Sequence, residues 1–349
     1  MKRFVLIASA TGIFAVIAVL TRAQDSKTEQ PIFENSLHRT TRGMAYWYDK
    51  ARGGLEKVTG IPYSQLTCAN CHVASCDECH KTRKDGIPAY TSEAARQTET
   101  CLKCHGRESA MILEIDKKAN QTDVHIAGGM GCASCHSARE MHGDGNPYDS
   151  MKKPGAMDTR CENCHGAVSD IAAHTVHEGK LDCKACHERH VVSCTNCHFG
   201  TMVNEKKRVS IPVSGWVFLM NYEGKVTSAT MQTFVVPGPK TFLMFAPQHS
   251  HSVMAKGRTC SECHATDILK SVRKGSVSLT WLDKGEIRQV KGVIPVTGGV
   301  KWGAVYQDYK AGKWIAMDNP PEPELHYAGF GTPLTNDQMD RLAIPQKER

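Results

Sequence analysis

The sequence predicts a chain that is mainly α-helical or irregular, with little regular secondary structure, followed by a β-rich segment in its C-terminal half. Three observations support this fold class. Sixteen cysteines occur in repeats of one pentapeptide, and the stretches between the repeats show only weak hydrophobic periodicity. From residue 209 onwards, β-branched and aromatic residues cluster around turn signals.

The pentapeptide is Cys-x-x-Cys-His, and its eight copies use every cysteine. Two thiols three positions apart can bond the vinyl groups of one haem, and the adjacent histidine can ligate its iron as proximal ligand. Zinc knuckles and disulfides also use Cys-x-x-Cys, but a histidine after every pair favours haem. We therefore predict eight haem c groups, attached at Cys68, Cys71 and His72; Cys76, Cys79 and His80; Cys101, Cys104 and His105; Cys132, Cys135 and His136; Cys161, Cys164 and His165; Cys183, Cys186 and His187; Cys194, Cys197 and His198; and Cys260, Cys263 and His264.

The density of motifs predicts what fills the core. Roughly 40 residues are available for each motif, too few to build a separate apolar pocket around each cofactor. The sequence therefore predicts a haem-cored domain, in which porphyrin rings replace most of the aliphatic side chains that a chain of this length would bury.

The chain divides into five predicted regions. Residues 1–23 resemble a signal peptide, with Lys2 and Arg3 before an apolar run and small residues before Gln24, although an uncleaved anchor is the alternative. A lead-in (24–67), a region of seven motifs (68–200), a β-rich segment that carries the eighth motif (201–318) and a tail (319–349) follow. No later run is long and apolar enough to span a bilayer. Haem c is attached outside the cytoplasm, so we expect a periplasmic or extracellular protein.

The charge does not indicate a nucleic-acid partner. The formal net charge is +7, but the leader removes three basic residues, and ionised haem propionates would make the balance negative. The sequence has no arginine-rich run and no aromatic-basic alternation of the kind that nucleic-acid grooves use. We assign the basic side chains to propionates instead.

Nine histidines lie outside the motifs and could provide the second axial ligands. We select eight of them and assign His249 to a propionate, because His251 stands closer to the last motif. Four methionines could also ligate iron, but the histidines suffice. The predicted distal ligands are His38, His125, His142, His174, His177, His190, His251 and His326.

At these motifs the chain resembles the multihaem cytochrome c superfamily. Asp123-Val124-His125 before the fourth motif and Met141-His142-Gly143 after it look like distal-ligand segments of that superfamily's electron carriers. The resemblance implies electron transfer along closely spaced, mostly bis-histidine haems, with no catalytic residues. It also implies redox partner proteins, such as a quinol-linked donor and a terminal reductase or extracellular acceptor.

Two alternatives remain open at this point. The same superfamily contains octahaem oxidoreductases of hydroxylamine, nitrite or tetrathionate, but this chain is short and has no Cys-x-x-Cys-Lys motif. Some extracellular cytochromes assemble into filaments, and the predicted β segments could join subunits in this way.

Overall fold

A computed structural model of the chain describes residues 32–166, 171–238 and 240–347. The predicted signal peptide and the start of the lead-in lie outside these residues. Among the described residues, no helix has the length and apolar character needed to cross a membrane.

The helices are short, and most have only one or two turns. α-Helical segments span Arg42–Tyr48, Glu56–Thr59, Asp77–His80, Ser92–Arg96, Thr98–Leu102, Gly106–Ser109, Lys117–Ala119, Val124–Ala127, Ala138–His142, Ala172–Thr175, Cys183–His187, Phe199–Asn204, Cys260–Cys263, Asp267–Arg273 and Asn336–Ala343. A π-helical stretch spans Ala110–Asp116, and 3₁₀ turns span Lys50–Arg52, Tyr63–Gln65, Thr67–Asn70, Cys132–Ser134 and Cys161–Asn163.

Within the described ranges, fifteen strands form one large sheet and four two-stranded ones. The strands are β1 (Lys81–Lys84), β2 (Ile87–Tyr90), β3 (Val191–Thr195), β4 (Cys197–His198), β5 (Ile211–Tyr222), β6 (Lys225–Val236), β7 (Lys240–Pro247), β8 (Ser276–Ser278), β9 (Thr280–Asp283), β10 (Glu286–Gln289), β11 (Gly292–Pro295), β12 (Lys301–Gly303), β13 (Gln307–Lys310), β14 (Lys313–Ala316) and β15 (Glu324–Tyr327). The large sheet has the order β11-β5-β6-β7-β15, with β3 also paired to β5 and β4 to β6.

The long hairpin of β5 and β6 forms because its turn residues accept left-handed backbone angles. Glu223 and Gly224 have φ values of 49° and 77°, as a tight hairpin turn requires. The turn pairs Tyr222 with Lys225 and sets the antiparallel register. By contrast, β11 and β15 join the sheet in parallel, next to β5 and β7.

The sheet is buried on both faces. Of the twelve residues of β6, ten are buried, so the strand lacks the alternation of a half-exposed one. The main apolar cluster is built on β5, β6 and β7 with the helix Asp267–Arg273, and it contains Trp216, Phe218 and Phe245. A second cluster, around Phe199, Phe234 and Phe242, also takes in Tyr48 from the N-terminal region.

The predicted fold class is therefore wrong. The chain was expected to be haem-cored and to have little regular secondary structure, whereas it has a seven-stranded mixed sheet with a core of aliphatic and aromatic side chains. Motif density indicates how many cofactors could attach but not what fills the core, and the apolar side chains of residues 209–246 pack against one another. The seventh motif, which was assigned to an irregular region, itself supplies strands β3 and β4.

Candidate metal centres

A single helical turn shapes most of the pentapeptides. In five of them the backbone N–H of the histidine donates to the carbonyl of the first cysteine, at 2.9 to 3.1 Å. This i to i−4 bond places the imidazole on the same side of the turn as the thiols. The local sequence is thus sufficient to bring the three groups of one motif together.

Six motif histidines face a histidine from outside the motifs. The ring centres of these pairs are 5.9 to 6.4 Å apart. Each pair contains one motif histidine and one predicted distal ligand. The pairs are His105 with His38, His80 with His142, His165 with His125, His136 with His251, His187 with His174, and His264 with His177.

These separations fit one metal ion held between two imidazoles. A first-row metal bonds an imidazole nitrogen at about 2 Å, and the ring centre lies roughly 1 Å further back, so two opposed ligands stand about 6 Å apart from centre to centre. Among the described residues, no group of three or more His, Cys, Asp and Glu side chains is arranged to hold a metal ion. A facing pair is the arrangement that a haem needs, because the porphyrin supplies the other four ligands.

Hydrogen bonds at Nδ1 orient several of the motif rings. Nδ1 of His80 lies 3.1 Å from the Thr91 carbonyl, and Nδ1 of His187 lies 3.0 Å from the carbonyl of Met254. A carbonyl only accepts, so each Nδ1 carries the proton and donates it. The Nε2 atom is then the unprotonated nitrogen, which is the form that binds a metal.

Two buried carboxylates orient the rings of His136 and His125 through hydrogen bonds at Nδ1. Nδ1 of His136 lies 2.7 Å from Glu140, and Nδ1 of His125 lies 3.2 Å from Asp123. Asp123 was named only as part of the segment that precedes the fourth motif, and neither carboxylate was predicted to orient a ring. The signal for each was available, since Glu140 lies four residues after His136 and Asp123 two before His125, both within reach of the ring.

Three of the facing histidines are held in the neutral state. Burial lowers the pKa of His38, His177 and His251, and a neighbouring motif histidine lowers each further. For His177 that neighbour is His264, its partner across the pair. The neutral imidazole is again the metal-binding form.

Two predicted distal ligands lie elsewhere. His190 is buried, and its Nε2 is 2.8 Å from a carboxylate oxygen of Asp116. His326 packs against the ring of Phe242 at 5.9 Å, and its Nε2 lies 3.4 Å from Glu324. Neither ring faces a motif histidine in the part of the chain that the structure describes.

His249, which was assigned to a propionate, is surrounded by basic side chains. Burial and the charges of Lys152, Lys184 and Arg160 lower its pKa to about 2. The structure thus brings three basic groups near His249, and its contact with a propionate stays a prediction.

His72 and His198 are the two motif histidines that no other histidine ring faces among the described residues. Nδ1 of His72 lies 3.2 Å from the Ala69 carbonyl, so His72 has the same tautomer as His80 and His187. His198 differs. Its Nδ1 accepts from the Thr201 amide at 3.1 Å, and its Nε2 lies 2.7 Å from Asp308.

The thiols of different motifs adjoin one another in a continuous order. Burial raises the pKa of Cys79, Cys101, Cys135 and Cys186, and a thiol of another motif raises each further; a hydrogen bond to Cys183 raises that of Cys161. Thioether formation would abolish these titrations, but the proximity remains. Two of these thiol pairs, Cys101 with Cys132 and Cys161 with Cys183, are hydrogen-bonded, and the other three interact through charge. The interactions relate the second motif to the third, the third to the fourth, the fourth to the fifth, the fifth to the sixth and the sixth to the eighth, through Cys79 and Cys104, Cys101 and Cys132, Cys135 and Cys164, Cys161 and Cys183, and Cys186 and Cys260.

The first and seventh motifs adjoin each other instead. Cys68 packs against the second apolar cluster, which contains Cys197. Burial raises the pKa of the Cys197 thiol to about 12, and Cys68 contributes to the rise. The six motifs whose histidine faces a second histidine thus form one series. The first and seventh motifs, which have no facing histidine, adjoin each other.

Comparison with known proteins gives little further guidance. No family model matches the chain, and no solved structure matches it. A curated protein named 5-methylthioadenosine/S-adenosylhomocysteine deaminase, from Thermoanaerobacter pseudethanolicus (strain ATCC 33223 / 39E), is 27% identical over 108 residues. The match covers 31% of this chain and 25% of the deaminase, so the chain spans about a quarter of that relative's length.

Proposed function

We propose that this protein is an electron-transfer c-type cytochrome of the multihaem superfamily, with one haem c at each of its eight pentapeptides. The observation that carries the proposal is the set of six histidine pairs at 5.9 to 6.4 Å. Each pair joins a histidine from a covalent attachment motif to one from outside, as bis-histidine ligation requires.

Each residue class has a separate role in this proposal. The cysteines tether the cofactor, the motif histidines are its proximal ligands, and His38, His125, His142, His174, His177 and His251 are distal ligands. When bound, haem supplies an iron centre that alternates between the ferric and ferrous states. The Nδ1 hydrogen bonds hold the rings in one orientation, and burial lowers the pKa of His38, His177 and His251, which favours their neutral form.

The continuous order of motifs supports transfer along the chain of cofactors. The second, third, fourth, fifth, sixth and eighth motifs each adjoin the next through their thiols. Cofactors attached at adjoining thiols lie close to each other, which short-range electron transfer needs. No substrate chemistry is required of the protein.

The partners that follow are redox proteins outside the cytoplasm. We propose that the protein works in the periplasm or outside the cell, after export by residues 1–23, between a quinol-linked donor and a terminal reductase or extracellular acceptor. Assembly into a filament is compatible with this role. The match to a deaminase carries no proposal of deamination, because it covers 31% of the chain.

Intact-mass spectrometry tests the proposal. Protein matured in a host that attaches haem c should carry eight haems, and the double variant Cys76→Ser/Cys79→Ser should carry one fewer, because each pair of thiols acts locally. Reduced protein should have the visible spectrum of low-spin haem. Zinc or disulfides in place of haem, in material from such a host, would refute the proposal.

A further inference from the structure

We propose that the first motif is a small-ligand site, at which the iron position beside His72 stays open to an external ligand. The proposal rests on the proposed function, because it requires haem at Cys68 and Cys71. It extends that function, since none of the six facing pairs leaves an iron position free.

The first step is the distribution of histidines. Six of the nine histidines outside the motifs face a motif histidine. None of the other three has a ring that faces a motif histidine: His190 binds Asp116, His326 packs against Phe242, and His249 lies near basic side chains. Among the described residues, no histidine ring therefore faces His72 or His198.

The second step separates these two motifs. His198 is buried, its Nδ1 accepts from the Thr201 amide, and its Nε2 lies 2.7 Å from Asp308, so an iron at the seventh motif would bind Nε2 only by displacing Asp308 within a buried site. His72 is exposed, and its Nδ1 bond to the Ala69 carbonyl leaves Nε2 as the unprotonated nitrogen. At the first motif, His72 thus has the tautomer that can bind a metal, and solvent can reach it.

The third step concerns charge. Arg208 forms a side-chain hydrogen bond with Cys197, the thiol that adjoins Cys68, and the Lys206 ammonium donates to the Gln65 carbonyl at 3.4 Å, three residues before Cys68. Among the described residues no carboxylate forms an ion pair with Arg208, and Lys206 and Lys207 precede it in the sequence. This positive charge favours a small anion over a neutral molecule at the first motif.

Carbon monoxide measures the open position directly. The reduced protein should bind one carbon monoxide per molecule, detected by the shift of its Soret band, and Cys68→Ser/Cys71→Ser should abolish this binding. The matched control Cys76→Ser/Cys79→Ser also loses one haem, but it should still bind one carbon monoxide, because His142 closes the second motif. His142→Ala should raise the number to two.

Cyanide measures the effect of charge. Arg208→Gln should weaken cyanide binding to the ferric protein several-fold and leave carbon monoxide binding to the ferrous protein unchanged. Arg288→Gln, which removes an exposed guanidinium on β10, is the control and should alter neither.

The results separate this inference from the proposed function. Fewer than eight haems by mass in fully matured wild-type protein contradicts the proposed function. Eight haems with no carbon monoxide bound contradicts the open site alone, and would indicate that another side chain closes the first motif. Met202 is the candidate, since its sulfur lies 3.9 Å from that of Cys68. Carbon monoxide binding that survives Cys68→Ser/Cys71→Ser would also refute the assignment.

Discussion

At the residue scale, the hydrogen-bond partner of Nδ1 determines whether Nε2 of the same imidazole can bind a metal. A carbonyl at Nδ1, as for His80, leaves Nε2 available to a metal, whereas the amide of Thr201 at Nδ1 of His198 leaves the proton on Nε2. Residues outside the motifs therefore distinguish histidines that are identical within the pentapeptide.

The facing pairs predict which histidines control the spin state of iron. Replacing His142 with alanine should raise the number of high-spin ferric haems by one, because His80 would lose the ring that faces it at 5.9 Å. Electron paramagnetic resonance measures this number. The control is His190→Ala, which should leave the spectrum unchanged, since His190 binds Asp116. An increase of equal size in both variants would contradict the pairing.

Glu188 predicts how stability depends on pH. Its side chain is fully buried, and burial raises its pKa from 4.5 to about 8. Between these values the unfolded chain releases a proton that the folded chain keeps. The free energy of unfolding should therefore fall as pH rises through this window, by at most about 1.4 kcal/mol per pH unit for this group.

Urea unfolding of Glu188→Gln at pH 5 and pH 8 tests this expectation. The amide stays neutral and can still accept from the Ser250 amide, which donates to Glu188 at 2.8 Å. The variant should thus gain stability relative to the wild type at pH 8 but not at pH 5. The exposed Glu178→Gln is the control. A difference from the wild type that is the same at both pH values would refute the assignment to Glu188.

At the element scale, the large sheet forms its own apolar core. Trp216 on β5 is fully buried, packs against Phe218 with ring centres 5.1 Å apart, and donates its indole N–H to Ser193 on β3 at 2.9 Å. One side chain thus joins the long hairpin to the strand that begins the seventh motif. The stability of the sheet and the geometry of that motif are linked through this contact.

Replacing Trp216 with alanine should destabilise the fold by about 3 to 5 kcal/mol, because it opens a cavity and removes the indole N–H that donates to Ser193. Trp281→Ala is the matched control, since Trp281 on β9 is 43% exposed. It should cost about 1 kcal/mol or less. Chemical denaturation followed by circular dichroism measures both, and equal losses would contradict the role of the sheet core.

At the scale of the whole molecule, six motifs form a series with two ends, the second and the eighth. Removing an internal haem by Cys161→Ser/Cys164→Ser should divide the series, so that stopped-flow reduction acquires a slow second phase. Removing the terminal haem by Cys260→Ser/Cys263→Ser should shorten the series without dividing it, and reduction should keep a single phase. Identical kinetics in the two variants would contradict transfer along the series.

The sequence by itself predicted the chemistry of attachment. Cys-x-x-Cys-His is a local pattern, and one helical turn, such as that from Cys76 to His80, positions its three groups without help from the rest of the chain. The candidate distal ligands were also identified from the sequence, because a count of histidines needs no structure. The buried carboxylate Glu140 was missed, since a glutamate four residues after a histidine is common on any helix.

Only the tertiary structure decided which histidine faces which motif, and that His72 and His198 face none. His136 and His251 meet because the strands and loops between them pack in one way, and no local pattern records that packing. The β-rich segment was predicted, but its pairing into one mixed sheet was not, for the same reason. Its parallel pairs of β11 with β5 and β15 with β7 join distant segments through burial, whereas composition reveals only that apolar residues are present.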